Sequence, residues 1–173
     1  MSMAQNALEA EPFREEANPE DDLKTAYLRL LTLIERLHRQ LLDVIKDELE
    51  RIGQTDINSV QALLLYNIGD AELTAGELRS RGHYLGSNVS YNLKKLVEAG
   101  YIDHKRSDAD RRSVRVSLTE KGRSVRDRLT GLYDRQLLSL VEVGGVDSAL
   151  IETTNKTLMR LERFWTDQIR FRL

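Results

Sequence analysis

Apolar residues return every three or four positions through most of this 173-residue chain, and the places where that rhythm breaks mark its changes of architecture. From Asp21 and Asp22, whose charges suit the positive end of a helix dipole, apolar residues recur at Leu23, Tyr27, Leu30, Leu31, Ile34, Leu37, Leu41, Val44, Ile45 and Leu49. That spacing predicts an amphipathic helix of roughly eight turns ending near Gly53. Asp56 or Asn58 suits the cap of a second helix through Val60, Leu63, Leu64 and Ile68, stopped by Gly69. Thr74 with Glu77 has the spacing of a capping box ahead of the short helix "GELRSRG". After "GHYLG", Ser87 or Asn88 opens a further helix with Val89, Leu93, Leu96 and Val97 on one face and Gly100 as its stop.

The period then drops to two. "YIDHKR" and "SVRVSL" alternate around the turn "SDADR", which predicts a β-hairpin. Thr119, Glu120 and Gly122 begin a helix through Val125, Leu129, Leu132, Leu137 and Leu140 as far as Gly144 and Gly145. A last helix carries Ile151, Leu158, Leu161, Trp165 and Ile169. Residues 1–20 contain both prolines and no apolar period, and a flexible acidic tail is expected there. The fold class expected is mainly α (α+β). Its parts are an N-terminal helix over 21–55, a central unit over 56–122 and C-terminal helices over 123–173.

Composition narrows the chemistry. With 40% hydrophobic and 31% charged residues the chain can build an ordinary core, and no run approaches the ~18 apolar residues of a membrane span. The N-terminus lacks the basic-then-apolar order of a signal peptide, so a cytoplasmic location without membrane contact is expected. The absence of cysteine removes disulfides, thiolate catalysis and cysteine-held zinc together. The net charge of −2 hides a division: residues 1–73 hold 7 Lys+Arg against 15 Asp+Glu, residues 74–128 hold 13 against 7, and residues 129–173 hold 6 of each. A basic middle in an acidic chain is the electrostatic footprint of a module that binds a polyanion.

Two short helices with a tight turn, followed at once by a hairpin, describe a winged helix-turn-helix. Its second helix can enter a major groove while the hairpin falls beside the neighbouring minor groove. On that helix the face opposite the apolar one shows Ser87, Asn88, Ser90, Tyr91, Lys94 and Lys95. Asn88 can read an adenine edge, Tyr91 can touch a thymine methyl or a phosphate, and the lysines can hold phosphates. Such a face is by itself more often merely solvated. The hairpin tip changes the balance, because adjacent Arg111 and Arg112 repel each other and cover no core, whereas a narrow minor groove attracts arginine. Asp110 beside them can hold one guanidinium in a single pose by a charge-assisted hydrogen bond.

With those residues in view, "DADRRSVRVSLTEKG" resembles the wing signature of the MarR family of bacterial transcription regulators: an Asp-Arg-Arg tip, a strand, Leu-Thr, two residues and Gly. "LTAGELRSRG" and "LKKLVEAGYI" resemble the same family's two helices, and "GSNVSYNLKKLVEAGYIDHKR" resembles its LdtR-type members, a group linked to cell-wall transpeptidase genes. The resemblance runs in element order over about 22–171, with the specific motifs in 74–122. It implies a homodimer on a pseudo-palindromic double-stranded operator, with Arg112 in the minor groove and Asp110 supporting it. Where this chain has Tyr91 the family commonly has arginine, so base contacts do not carry over. The resemblance also implies a small aromatic or apolar effector between the dimer helices and the winged unit, for which His38, Tyr66 and Tyr133 are candidates; each is also an ordinary core position.

The stripes Leu23–Leu49 and Ile151–Leu173, the latter with Phe164, Trp165 and Phe171, exceed what the central unit can cover. A second copy is the expected cover, because two recognition helices must sit about one DNA turn apart, roughly 34 Å, to read two half-sites. An intramolecular helical bundle is the plain alternative. Catalysis finds little support: His38, His83 and His104 fall on separate elements, and no phosphate-cradling glycine loop or nucleophile elbow occurs. No cofactor is expected. A helical interaction or scaffold dimer that has lost DNA affinity is the rival, and the +6 middle with its tip arginines speaks against it.

Overall fold

Asn58 Oδ1 accepts from the Gln61 amide at 2.9 Å while Gln61 Oε1 accepts from the Asn58 amide at 3.0 Å, so Asn58 and not Asp56 opens the second helix. The computed structural model describes residues 19–74, 76–78, 86–106 and 114–171; the predicted tail up to residue 18, the turn "GHYLG" up to Leu85 and the hairpin tip lie outside them. Pro19 and Glu20, expected in the tail, already form the first turn of a helix, because proline suits a first helical position and an acid the positive helix end. Helix α1 is Pro19–Arg51, α2 Ser59–Ile68, α3 Gly86–Glu98, α4 Glu120–Glu142 and α5 Ser148–Phe171. Strand β1 is Leu73–Thr74, β2 Ile102–Arg106 and β3 Val114–Leu118. Helix α3 starts ahead of both expected openers, Ser87 and Asn88, because the apolar period marks where the buried face begins, at Val89, and not the first helical turn.

The hairpin forms as the alternation predicts, with Ile102 opposite Leu118 and Lys105 opposite Arg115. A third strand was not legible: β1 pairs antiparallel with β3 through Leu73↔Val116 and Thr74↔Arg115, giving the order β1-β3-β2. Two residues cannot display a period, and only pairing with β3 makes them a strand. The Thr74–Glu77 box is present, with the Thr74 amide donating to Glu77 Oε2 at 2.6 Å and the Glu77 amide to Thr74 Oγ1 at 3.1 Å, and residues 76–78 are helical.

Two compact units divide between Leu42 and Asp43, inside α1. In the first, Leu23, Tyr27, Leu28, Leu33 and Leu37 are exposed. In the second, the last turns of α1 contribute buried Ile45 and Leu49 to a core shared with Leu64, Leu65, Ile68, Leu78, Leu96, Tyr101 and Leu129. Each such side chain stabilises the fold by roughly 1.5–3 kcal/mol. Buried Glu48 accepts from Arg51 (2.6 and 2.9 Å) and from Arg135 on α4 (3.0 Å), and the Arg51 bond is the main reason its carboxyl sits below the usual range. Helix α5 buries none of its residues. No described helix is long and apolar enough to cross a membrane.

A polar knot ties the α1–α2 connection to the start of the hairpin and to α4. The Tyr101 hydroxyl donates to Asp56 Oδ1 at 2.7 Å, Gln54 Nε2 donates to that hydroxyl at 2.6 Å and also to Asp56, and Lys121 Nζ donates to Asp56 Oδ2 at 2.9 Å while lying 4.0 Å from the Tyr101 ring centre. The Tyr101 hydrogen bond, followed by that of Lys121, lowers the Asp56 pKa from 3.8 to about 2. A carboxylate held below its unfolded value adds stability that is present above that value and is lost as pH falls through the folded one. Thermal melts should therefore show the Asp56 contribution intact near neutrality and disappearing between about pH 4 and pH 2. Asp56→Asn should melt lower at neutrality, with the difference from wild type shrinking over that window; a difference constant with pH would remove the knot as its cause.

Candidate nucleic-acid interface

Helix α3 divides cleanly by burial. Val89, Leu93 and Leu96, spaced by four and three, are buried, and opposite them Asn88, Ser90, Tyr91, Lys94 and Lys95 are all exposed. Asn88, Tyr91 and Lys95 lie one turn apart in succession, which lines an amide, a phenol and an ammonium along one ridge. Tyr91 leaves 63% of its surface exposed, so no core claims its ring. Ser87 lies in the first turn of the helix, and its side chain is outside the described residues. Asn92, which the sequence did not single out, donates from Nδ2 to the Asn88 carbonyl at 2.9 Å and braces the turn from which Asn88 projects.

The lysines are not idle cations. Glu98 meets Lys95 at 3.2 Å and Lys94 at 3.9 Å, and its hydrogen bond is the main cause of a raised Lys95 pKa. These exposed pairs contribute little to stability, so a phosphate can replace the carboxylate at small cost. Glu98 was missed, although its spacing of three and four from the lysines is a signal the sequence carries.

Beside α3 stands the sheet. His104 and Val116 face Ser90, Leu93, Lys94, Val97 and Glu98 across a crevice of about 290 Å³. The hairpin thus rises next to the polar ridge, with its strands leading toward the tip that carries Asp110, Arg111 and Arg112. Those three residues, like His83, lie outside the described residues. The hairpin returns to the body through Thr119, which caps α4 by accepting from the Gly122 amide at 3.1 Å and donates from its hydroxyl to the Gly100 carbonyl at 2.8 Å.

Of the effector candidates, Tyr66 and Tyr133 come together edge to face with ring centres 5.0 Å apart, both half-buried. His38, expected as an inward group, is exposed on α1 in the other compact unit. It lies four residues after Ile34 and three before Leu41, on the apolar stripe itself, whose Tyr27 and Leu37 are likewise exposed. Among the described residues no group of three or more His, Asp or Glu could hold a metal ion.

Comparison with known proteins bears on this arrangement. The family described as "Winged helix DNA-binding domain" matches residues 57–122. The chain is 41% identical over 155 residues to the exopolysaccharide II synthesis transcriptional activator ExpG of Rhizobium meliloti (strain 1021), covering 87% of this chain and 77% of that protein. Its fold is similar to that of Streptococcus pneumoniae FabT in complex with DNA, with a TM-score of 0.63 and 25% identity over 82% of this chain and 98% of that one. It is also similar to a cysteine-to-serine mutant of MarR from E. coli complexed with operator DNA, at a TM-score of 0.64 and 20% identity over 79% and 95% of the two chains.

Proposed function

Because this chain belongs to the MarR family of winged-helix transcriptional regulators, we propose that two copies of it bind one pseudo-palindromic double-stranded operator, with residues 87–99 in the major groove and the wing, residues 103–118, in the minor groove. The observation that carries this reading is the ridge Asn88–Tyr91–Lys95 with Ser90 and Lys94 beside it, exposed along a helix whose other face is core. Asn88 and Tyr91 supply base readout, Lys94 and Lys95 exchange Glu98 for phosphates, and Arg111 and Arg112 enter the minor groove with Asp110 steadying one guanidinium.

The domain plan follows. Residues 56–122 bind DNA, while 21–55 and 123–173 supply the dimer interface, for which the exposed Leu158, Trp165 and Ile169 of α5 provide apolar area. Tyr66 and Tyr133 offer an edge-to-face aromatic contact for a small aromatic or apolar effector. The working compartment is the cytoplasm, where the chromosome is. Since the relative ExpG is an activator of exopolysaccharide II synthesis, promoters of surface-polysaccharide genes are the first fragments to test.

Fluorescence anisotropy on such fragments should show affinity falling linearly with salt on logarithmic axes, at about −0.9 per phosphate neutralised. Sedimentation should give twice the 19.9 kDa of the chain. Binding that is absent on genomic fragments, or indifferent to salt, would overturn the reading in favour of the scaffold dimer; a monomer at micromolar concentration would end the two-half-site geometry.

A further inference from the structure

The register of the hairpin places two cations side by side. Lys105 on β2 is directly opposite Arg115 on β3, and Arg115 is in turn opposite Thr74 on β1, so the three form one row across the sheet. Strand alternation puts this row on the face opposite His104, Val116 and Leu73, the face turned away from α3. Both cations are exposed.

Like charges directly opposite on an antiparallel pair destabilise the sheet. Several cations of the basic segment are matched, Lys94 and Lys95 with Glu98, Lys121 with Asp56, and Arg126 with Asp70 and Asp127, while Arg123 gives its guanidinium to the Leu118 carbonyl. Lys105 and Arg115 are not, for among the described residues neither forms an ion pair, even with Asp103, which shares their face two residues nearer the base. Among the described residues the side chain of Arg115 makes one hydrogen bond, a 3.5 Å contact from Nη1 to the Glu72 carbonyl. A repulsive pair left uncompensated beside the wing tip is explained by an anion that arrives with the ligand.

We infer that Lys105 and Arg115 form a phosphate-binding site on the outer face of the wing, gripping the sugar-phosphate wall of the minor groove that lies farther from α3. The inference rests on the DNA-binding reading above. A hairpin lying in a minor groove has one phosphate wall against each face. The inner wall meets the side that carries His104 and Lys94, and the outer wall meets the row Lys105–Arg115. The site reads no base, so it supplies affinity and register without altering sequence preference.

The test is the double variant Lys105→Gln, Arg115→Gln, which keeps the aliphatic stems and removes both charges. Compared with wild type on the same operator and on unrelated DNA, it should bind both about tenfold more weakly near 0.1 M salt, and its salt slope should be shallower by about 2. Its melting temperature should equal or exceed that of wild type, because the repulsion is gone. Lys105→Arg with Arg115 intact should keep wild-type affinity and slope. An unchanged slope in the double variant, or a loss of binding that tracks a lower melting temperature, overturns the site while leaving the DNA-binding reading in place. A wild-type protein that binds no DNA overturns both.

Discussion

Replacing Gly122 by alanine is expected to lower the melting temperature by roughly 5–10 °C, because a Cβ there would come closer to the main chain than at Gly131 or Gly144. Gly122 is the third residue of α4, and its backbone is ordinary helix. What it lacks is space: a Cβ at this position would lie 2.2 Å from the Tyr101 carbonyl oxygen and 3.3 Å from Leu118 Cδ2. The nearest atom is main chain and cannot rotate aside. That carbonyl also accepts the Thr119 amide at 3.1 Å, and Thr119 bonds both Gly100 and Gly122, so displacing it loosens the cap of α4 and the root of the hairpin together. Overpacking of this kind costs about 1–3 kcal/mol or more. Gly131 is the control, being in the same helix, where a Cβ would meet only Arg135 Nη1 at 3.5 Å. Gly131→Ala should be neutral or stabilising, because alanine is the better helix former by about 1 kcal/mol. Differential scanning fluorimetry on both variants decides the matter, and equal melting temperatures would refute the close approach.

Arg112→Ala should weaken operator binding by about 10- to 100-fold while leaving the melting temperature unchanged, since a minor-groove arginine serves the ligand and not the fold. The loss should be accompanied by a shallower salt slope. Asn88→Ala and Tyr91→Ala should act differently, lowering discrimination between operator and mismatched sites by about 1–3 kcal/mol per contacted base with a smaller effect on binding to random DNA. Anisotropy titrations of the three variants against matched and scrambled operators separate the roles. Wild-type affinity for Arg112→Ala would remove the wing from the interface, and unaltered preference in both helix variants would remove α3.

Much of the fold was legible because it rests on local periodicity. The five long helices, the hairpin strands, the Thr74–Glu77 box and the Thr119 cap each follow from residues within one or two turns of each other. The polar ridge of α3 was legible for the same reason: once Val89, Leu93 and Leu96 are assigned to the core, helical geometry leaves Asn88, Tyr91 and Lys95 outside. Other features depend on residues far apart in the chain. Asp56 has the composition of a helix cap, yet it bonds Tyr101, 45 residues on, and Lys121, 65 residues on, and leaves the capping to Asn58. The family resemblance marked Gly122 as part of a motif, but only the fold reveals the carbonyl that excludes a side chain.

The sequence alone therefore determined the element order, the apolar faces and the basic central segment, because periodicity and charge are properties of neighbouring residues. Tertiary structure decided which neighbours those faces meet. It turned Leu73 and Thr74 into a third strand, set the register that opposes Lys105 to Arg115, and left α5 with no residue buried by its own chain. Each of these depends on the free energy of bringing distant segments together, which no local pattern records.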